Sequence, residues 1–204
     1  MAKLSLLFLV LGSLYAGGQN PPSLDLYTSA PHQFSFVYPD KYDLLEGEGI
    51  LKRTQGKHMG NADCDLLTAI ACVIYPADNP QDPSLEAAVF SVNEISKVTT
   101  EQDCLGFADQ PPRSSGEQLA TEPIRFNEQL FRYASTTTTL AGHSQVTQRY
   151  RTLHKDRCYE LRIAISLSDV APGSSPSRKD LDSEATKKAR ESLELILSSF
   201  VFSN

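Results

Sequence analysis

The chain of 204 residues has no tryptophan, two methionines and no Asn-x-Ser/Thr triplet, so nothing in it invites N-linked glycosylation. It also lacks a C-x-x-C pair, an H-E-x-x-H, a G-x-S-x-G and a D-x-D-x-D-G spacing. These absences argue against finger-type zinc sites, zincin proteases, α/β-hydrolase elbows and EF-hand calcium loops. No repeat with a period of about 20–50 residues is visible, which excludes solenoid architecture. Beyond the amino terminus there is no long apolar run, so no later segment resembles a membrane span.

What is present is a globular composition, 40% hydrophobic and 22% charged. A chain of this length fits one domain and can bury close to about 70% of its unfolded surface. The net charge of −6 argues against nucleic acid or anionic lipid as the main partner.

The first residues read as a secretory signal. Lys3 supplies a positive start, Leu4 to Tyr15 is almost unbroken apolar sequence, and Ala16, Gly17 and Gly18 are small. Twelve helical residues cover only about 18 Å, too little for a hydrocarbon core of about 30 Å. Cleavage after Gly18 is expected, with Ala16 as the alternative, and loss of Lys3 takes the charge from −6 to −7. The expected organisation is a signal peptide over 1–18, an extended lead-in over 19–32 and one domain over 33–204. The expected destination is secreted or periplasmic.

Cys64, Cys72, Cys104 and Cys158 form an even set, which in an exported chain favours two disulfides. Read as one continuous strand, residues 64–72 would hold Cys64 and Cys72 about 26 Å apart, beyond the reach of a disulfide. The preferred pairing is then Cys64–Cys104 with Cys72–Cys158. The crossed arrangement and buried free thiols are the alternatives.

Period-two apolar patterning predicts strands at Phe34–Tyr38, closed by Pro39, and at Ala87–Ile95, while Leu66–Tyr75, apolar on both faces, reads as a central strand covered on two sides. Tyr42–Leu45 and Ile50–Arg53 read as a hairpin. Three further strands, Leu130–Leu140, Gln145–Leu153 and Arg157–Leu167, are separated by hairpin-length gaps and should be antiparallel neighbours. A short helix containing Cys104 should be capped by Thr99 or Thr100. A long amphipathic helix is expected from about Lys179 to Leu197, with Leu181, Ala185, Ala189, Leu193 and Ile196 on one face. An apolar tail, Phe200-Val201-Phe202, follows.

Phe34-Ser35-Phe36-Val37-Tyr38-Pro39, Arg157-Cys158-Tyr159-Glu160-Leu161 and Ile196-Leu197-Ser198-Ser199-Phe200-Val201-Phe202 resemble motifs of the PsbP-like family. That family includes the extrinsic photosystem II subunit and Ran-binding regulators. The resemblance spans about residues 33–202, and the lack of tryptophan and the four cysteines depart from the usual pattern. It implies an α+β fold with a central antiparallel sheet flanked by helices, an α/β/α sandwich. It implies no shared chemistry, because members of one fold differ in function.

The candidates for chemistry each have a structural reading beside them. His143 next to Ser144 suits a hairpin turn better than a nucleophile–base pair, whose members usually come from separate elements. His32, His58, His143 and His154 fall in loops or at strand ends. Glu46, Glu48, Asp63 and Asp65 gather near two loops without calcium-type spacing. Asp180, Asp182 and Glu184 suit the positive end of a helix. Gly47 and Gly49 have acidic neighbours that would repel a phosphate. Thr136–Thr139 suits a half-exposed strand. No catalytic, cofactor or metal residue is therefore assigned, and no cofactor is expected. The reading is an exported non-catalytic binding or accessory module for an unidentified protein or envelope partner, not an enzyme. Recognition would sit on a sheet edge or on the loops Pro111–Gly116 and Pro172–Ser177. The alternative is a hydrolase or metal-dependent enzyme assembled from scattered His, Asp and Ser.

Overall fold

The computed structural model describes residues 22–47, 50, 64, 68–76, 84–96, 98, 100–106, 123–140, 143–168 and 183–203. Among the described residues the elements follow in the order β1 Leu24–Ser29, β2 Phe34–Pro39, β3 Asp43–Glu46, β4 Ala69–Tyr75, β5 Leu85–Ile95, α1 Glu101–Leu105, β6 Pro123–Phe126, β7 Gln129–Leu140, β8 His143–His154, β9 Arg157–Leu167, α2 Glu184–Ser199 and β10 Val201–Phe202. Seven strands form one antiparallel sheet in the order β3-β4-β5-β9-β8-β7-β6. A second sheet has the order β1-β2-β10.

Local chemistry explains the centre of the large sheet. In β9 the residues Tyr159, Leu161, Ile163, Ile165 and Leu167 all enter the main core, as their alternation predicts. Ala88, Phe90 and Val92 of β5 lie beside them on the same face. The β8–β9 hairpin closes through Lys155 and Asp156 at φ 48° and 58°. Asn127 and Glu128, at 45° and 71°, close β6 onto β7 in the same way. Two left-handed residues in a two-residue loop match the right-handed twist of the flanking strands.

Helix α1 is capped by Thr100, whose hydroxyl accepts from the Asp103 amide at 3.2 Å. Ser183 caps α2 in the same manner, accepting from the Thr186 amide at 3.2 Å, so the helix starts at Glu184 and not at Lys179. Its face of Ala185, Ala189, Leu193, Ile196 and Leu197 is buried. The α+β class holds. One face of the large sheet is covered by α2 together with the three-stranded sheet, a mixed cover that differs from a sandwich of helices alone.

Several expectations need correction. The lead-in 19–32 contains a paired strand: β1 runs antiparallel to β2 from Leu24↔Pro39 to Ser29↔Phe34. β3 pairs with β4. Ile50 is a buried helical residue, and 51–53 lie outside the described residues. β6 was not expected at all.

The cysteine pairing is also different. The disulfides are Cys64–Cys72, with Cα atoms 6.0 Å apart, and Cys104–Cys158, at 5.6 Å. The expected Cys64–Cys104 and Cys72–Cys158 pairs are not formed. The exclusion of Cys64–Cys72 rested on an unbroken strand from 64 to 72, but β4 begins only at Ala69. Cys104 instead ties α1 to the start of β9. Closing 54 residues restricts the unfolded chain by about 4 kcal/mol and closing 8 residues by about 2.5 kcal/mol in the loop-entropy model. Denaturant unfolding should therefore show a larger loss for the Cys104→Ser/Cys158→Ser variant than for Cys64→Ser/Cys72→Ser. Non-reducing peptide maps should recover Cys104 linked to Cys158; a Cys64–Cys104 peptide would contradict the fold.

Candidate functional site

Among the described residues polar side chains gather at several places. One is a groove of about 520 Å³ between α2 and the β2–β3 turn. Tyr42 and Tyr75 form its aromatic part, with ring centroids 5.3 Å apart at 70°, and Lys41 sits 5.9 Å from the Tyr42 ring. Lys188, Glu191 and Ser192 project from α2 and Asp40 from the turn, so the lining carries both signs of charge. Burial raises the Tyr42 phenol above its ordinary range, partly offset by a hydrogen bond with Ser192. An aromatic surface flanked by lysines and carboxylates suits recognition of a polar ligand or peptide.

The second place is the face of the large sheet opposite the main core. Arg151 of β8 stands beside Glu160 of β9, and its Nε donates to Glu160 Oε2 at 2.7 Å with the arginine side chain only 1% exposed. Asn93 of β5 continues the row, its Nδ2 donating to the Glu160 carbonyl at 3.3 Å and to Ser91 Oγ at 3.1 Å. Arg132 lies across from Arg151 in β7, and Arg149 and Arg162 face one another in the next row. A buried charge is tolerated only when paired and hydrogen-bonded, and this row supplies both.

The third place is the β8–β9 turn. The His154 ring stacks on Phe202 of β10, with centroids 3.9 Å apart at 7°. A cleft of about 190 Å³ between the β1–β2 and β8–β9 turns is lined by His32, His154, Lys155 and Arg157 among others. A neighbouring cleft of about 270 Å³, bounded by Asn127, Glu128, Gln129 and Phe202, shares His154.

The other sequence candidates are dispersed. His143 Nδ1 is 2.7 Å from Glu86 Oε1 and stands at the opposite end of β8 from His154. Twelve residues of strand put about 36 Å between the ends, so these two imidazoles share no site. Ser144 is buried and donates to the Thr138 carbonyl at 3.3 Å while its Oγ lies 3.1 Å from Thr139 Oγ1. It does not serve as a nucleophile paired with His143. Glu46 accepts from the Tyr27 hydroxyl at 3.0 Å; burial and this carboxylate push the phenol up to about 12. Glu48, Gly49, His58, Asp63, Asp65, Asp180 and Asp182 lie outside the described residues, as do the loops 111–116 and 172–177. Among the described residues no three metal-ligating side chains converge.

No family model matches the sequence, and no curated protein does. Solved structures do. Cyanobacterial PsbP (CyanoP) from Synechocystis sp. PCC 6803 is similar with a TM-score of 0.41 and 13% identity, over 94% of this chain and 98% of that one. The Ran-binding protein Mog1p of Saccharomyces cerevisiae gives 0.40 and 10%, over 90% and 97%. A Bacteroides thetaiotaomicron VPI-5482 protein gives 0.42 and 10%; it covers 88% of this chain, which spans about half of that protein, 48%. At this level of likeness nothing about ligand or chemistry is transferred.

The groove residues and the arginine row were not singled out from sequence. A signal for the row existed: Thr147, Arg149 and Arg151 alternate with period two, as do Glu160 and Arg162. For the groove no local signal exists, because Tyr42, Tyr75 and Lys188 are brought together only by the fold.

Two outcomes follow from this geometry. Removing one member of the buried pair, as in Glu160→Gln, should cost about 3–5 kcal/mol, whereas Arg151→Met/Glu160→Met should cost less than either single change; urea unfolding measures all three. Burial, and then Lys155, lower the His154 pKa from its ordinary 6.5. The unfolded chain then takes up that proton before the folded one as the pH falls. Stability should be complete above the ordinary imidazole range, decline as the pH drops through it and level off below the depressed folded value. Thermal unfolding between pH 7.5 and 5.5 should show this component in the parent and not in His154→Phe.

Proposed function

We propose that the mature chain is an exported, non-catalytic binding or accessory module, working in a secreted or periplasmic setting after loss of residues 1–18. The groove between α2 and the Tyr42–Tyr75 pair is its recognition surface. The observation that carries this reading is the groove itself: a cavity of about 520 Å³ that combines aromatic rings with exposed side chains of both charges. Two disulfides agree with an oxidising compartment. No helix among the described residues is long and apolar enough to cross a membrane. Among the described residues β1 and β6 stand at sheet edges and offer a further surface for contact, with Leu26 of β1 69% exposed. The partner in this reading is a protein or envelope component.

The test pairs capture with turnover. Oxidised mature protein should retain a defined partner from its native envelope or medium, and Lys41→Glu/Lys188→Glu should lose it by at least tenfold. Model esters, phosphodiesters, glycosides and peptides should remain intact over the same period. Turnover of any of these that a single His or Ser substitution abolishes would replace the binding reading with the hydrolase one.

A further inference from the structure

The groove occupies one end of β2, near Pro39, and a different kind of site occupies the other end. There the β1–β2 turn faces the β8–β9 turn across the cleft of about 190 Å³. Sites for drug-sized ligands run to about 300–1,000 Å³, so this one suits an ion or a single head group.

The lining is rich in nitrogen donors. Lys155 and Arg157 are permanently charged at neutral pH and exposed, and the imidazoles of His32 and His154 stand with them. Opposing carboxylate comes from Glu94, whose Oε2 is 3.2 Å from His32 Nδ1 and 3.6 Å from Arg157. The His32 contact is close enough for an ion pair but is not aligned as a hydrogen bond. Asp156, between Lys155 and Arg157 in the turn, is exposed. Lys155 and Arg157 are matched in formal charge by Glu94 and Asp156, so in a chain of net charge −6 the rim of this cleft is locally neutral. At physiological ionic strength the screening length is about 8 Å, so distant negative charge adds little there.

The donors are also held in place. Lys155 Nζ donates to Gln33 Oε1, which ties the two turns together, and the Ser203 amide donates to the Gln33 carbonyl at 2.7 Å. His154 lies flat against Phe202, and its Nε2 is shielded from solvent without a hydrogen-bond partner. Charged donors converging on one small concavity suit charge-assisted hydrogen bonds to an oxyanion.

We propose that the cleft between the β1–β2 and β8–β9 turns binds a tetrahedral oxyanion group of the sulfate or phosphate type. Lys155 and Arg157 supply the charge, and His32 and His154 complete the cradle. This goes beyond the groove and stands without it.

Sodium sulfate is the first probe, because its charge is constant from pH 5.5 to 7.5. Titrated at fixed ionic strength and followed by imidazole proton resonances, it should shift His32 and His154 with saturation, while His143 stays in place. Lys155→Ala/Arg157→Ala should weaken the binding at least tenfold, and Lys155→Gln/Arg157→Gln should repeat the effect with the far-ultraviolet circular dichroism unchanged. Lys41→Glu/Lys188→Glu should leave it as it was, which separates this site from the groove. Phenyl sulfate and phenyl phosphate then distinguish a sulfated from a phosphorylated source by whichever binds more tightly. Shifts that never saturate, that chloride reproduces at equal ionic strength, or that survive both double substitutions would overturn the proposal.

Discussion

The aromatic contact between the two sheets is the interaction on which the rest of this molecule depends. Phe36 of β2 meets Phe90 of the large sheet at 5.4 Å, and Phe34 meets both Tyr159 at 6.4 Å and Phe200 at 5.2 Å. Phe200 reaches Phe131 at 6.4 Å, and Phe202 reaches Tyr159 at 5.1 Å. Phe34, Phe36, Phe90, Phe131 and Phe200 are buried; full burial of such a ring contributes about 1.5–3 kcal/mol. A three-stranded sheet with a two-residue edge has little stability of its own, so β1, β2 and β10 persist because this cluster holds them. Helix α2 is tied to the same strand, since Ser199 Oγ accepts from the Val37 amide at 2.9 Å and donates to its carbonyl at 3.3 Å.

That arrangement sets where ligands can approach. Strand β2 is a short rod fixed at its middle by aromatic rings, and the groove and the donor-lined cleft lie at its two ends. Each cavity therefore has one wall from the small sheet or its turns. The opposite wall of the cleft is the large sheet; that of the groove is Tyr75 together with α2. Loosening the aromatic cluster would deform both at once. Side chains placed on turns between packed strands hold their geometry better than side chains on long loops, which is the physical basis for reading these two cavities as recognition surfaces.

Much of this architecture was legible in the chain because its signals are local. The alternation in Arg157–Leu167 matches β9 residue for residue, Pro39 ends β2, and Thr100, one of the two expected caps, caps α1. What stayed hidden depended on distant partners. In β1, Leu24 and Leu26 face solvent while Tyr27 enters the core, so the apolar residues do not all lie on one face and the stretch does not read as a strand. β6 is four residues long and begins with proline, a weak local signal. The disulfide pairing was misread through a single premise, that residues 64–72 form one strand. The arginine row depends on partners from another strand: Glu160 and Arg162 of β9 meet Arg151 and Arg149 only once β8 is paired beside them.

The two clusters of basic residues also differ in what they can do. Arg151 is enclosed, bonded to Glu160 and fixed in a row that continues to Asn93 and Ser91. Such a row specifies strand register, since a slip of one residue would turn Arg151 into the main core and leave Glu160 without its partner. Lys155 and Arg157 stand at an exposed turn beside a concavity, where a ligand can reach them without unpacking the sheet. Burial with a fixed partner makes the first cluster scaffold. Access makes the second a site, and the aromatic cluster that positions β2 and β10 against the β8–β9 turn is what gives it a defined shape.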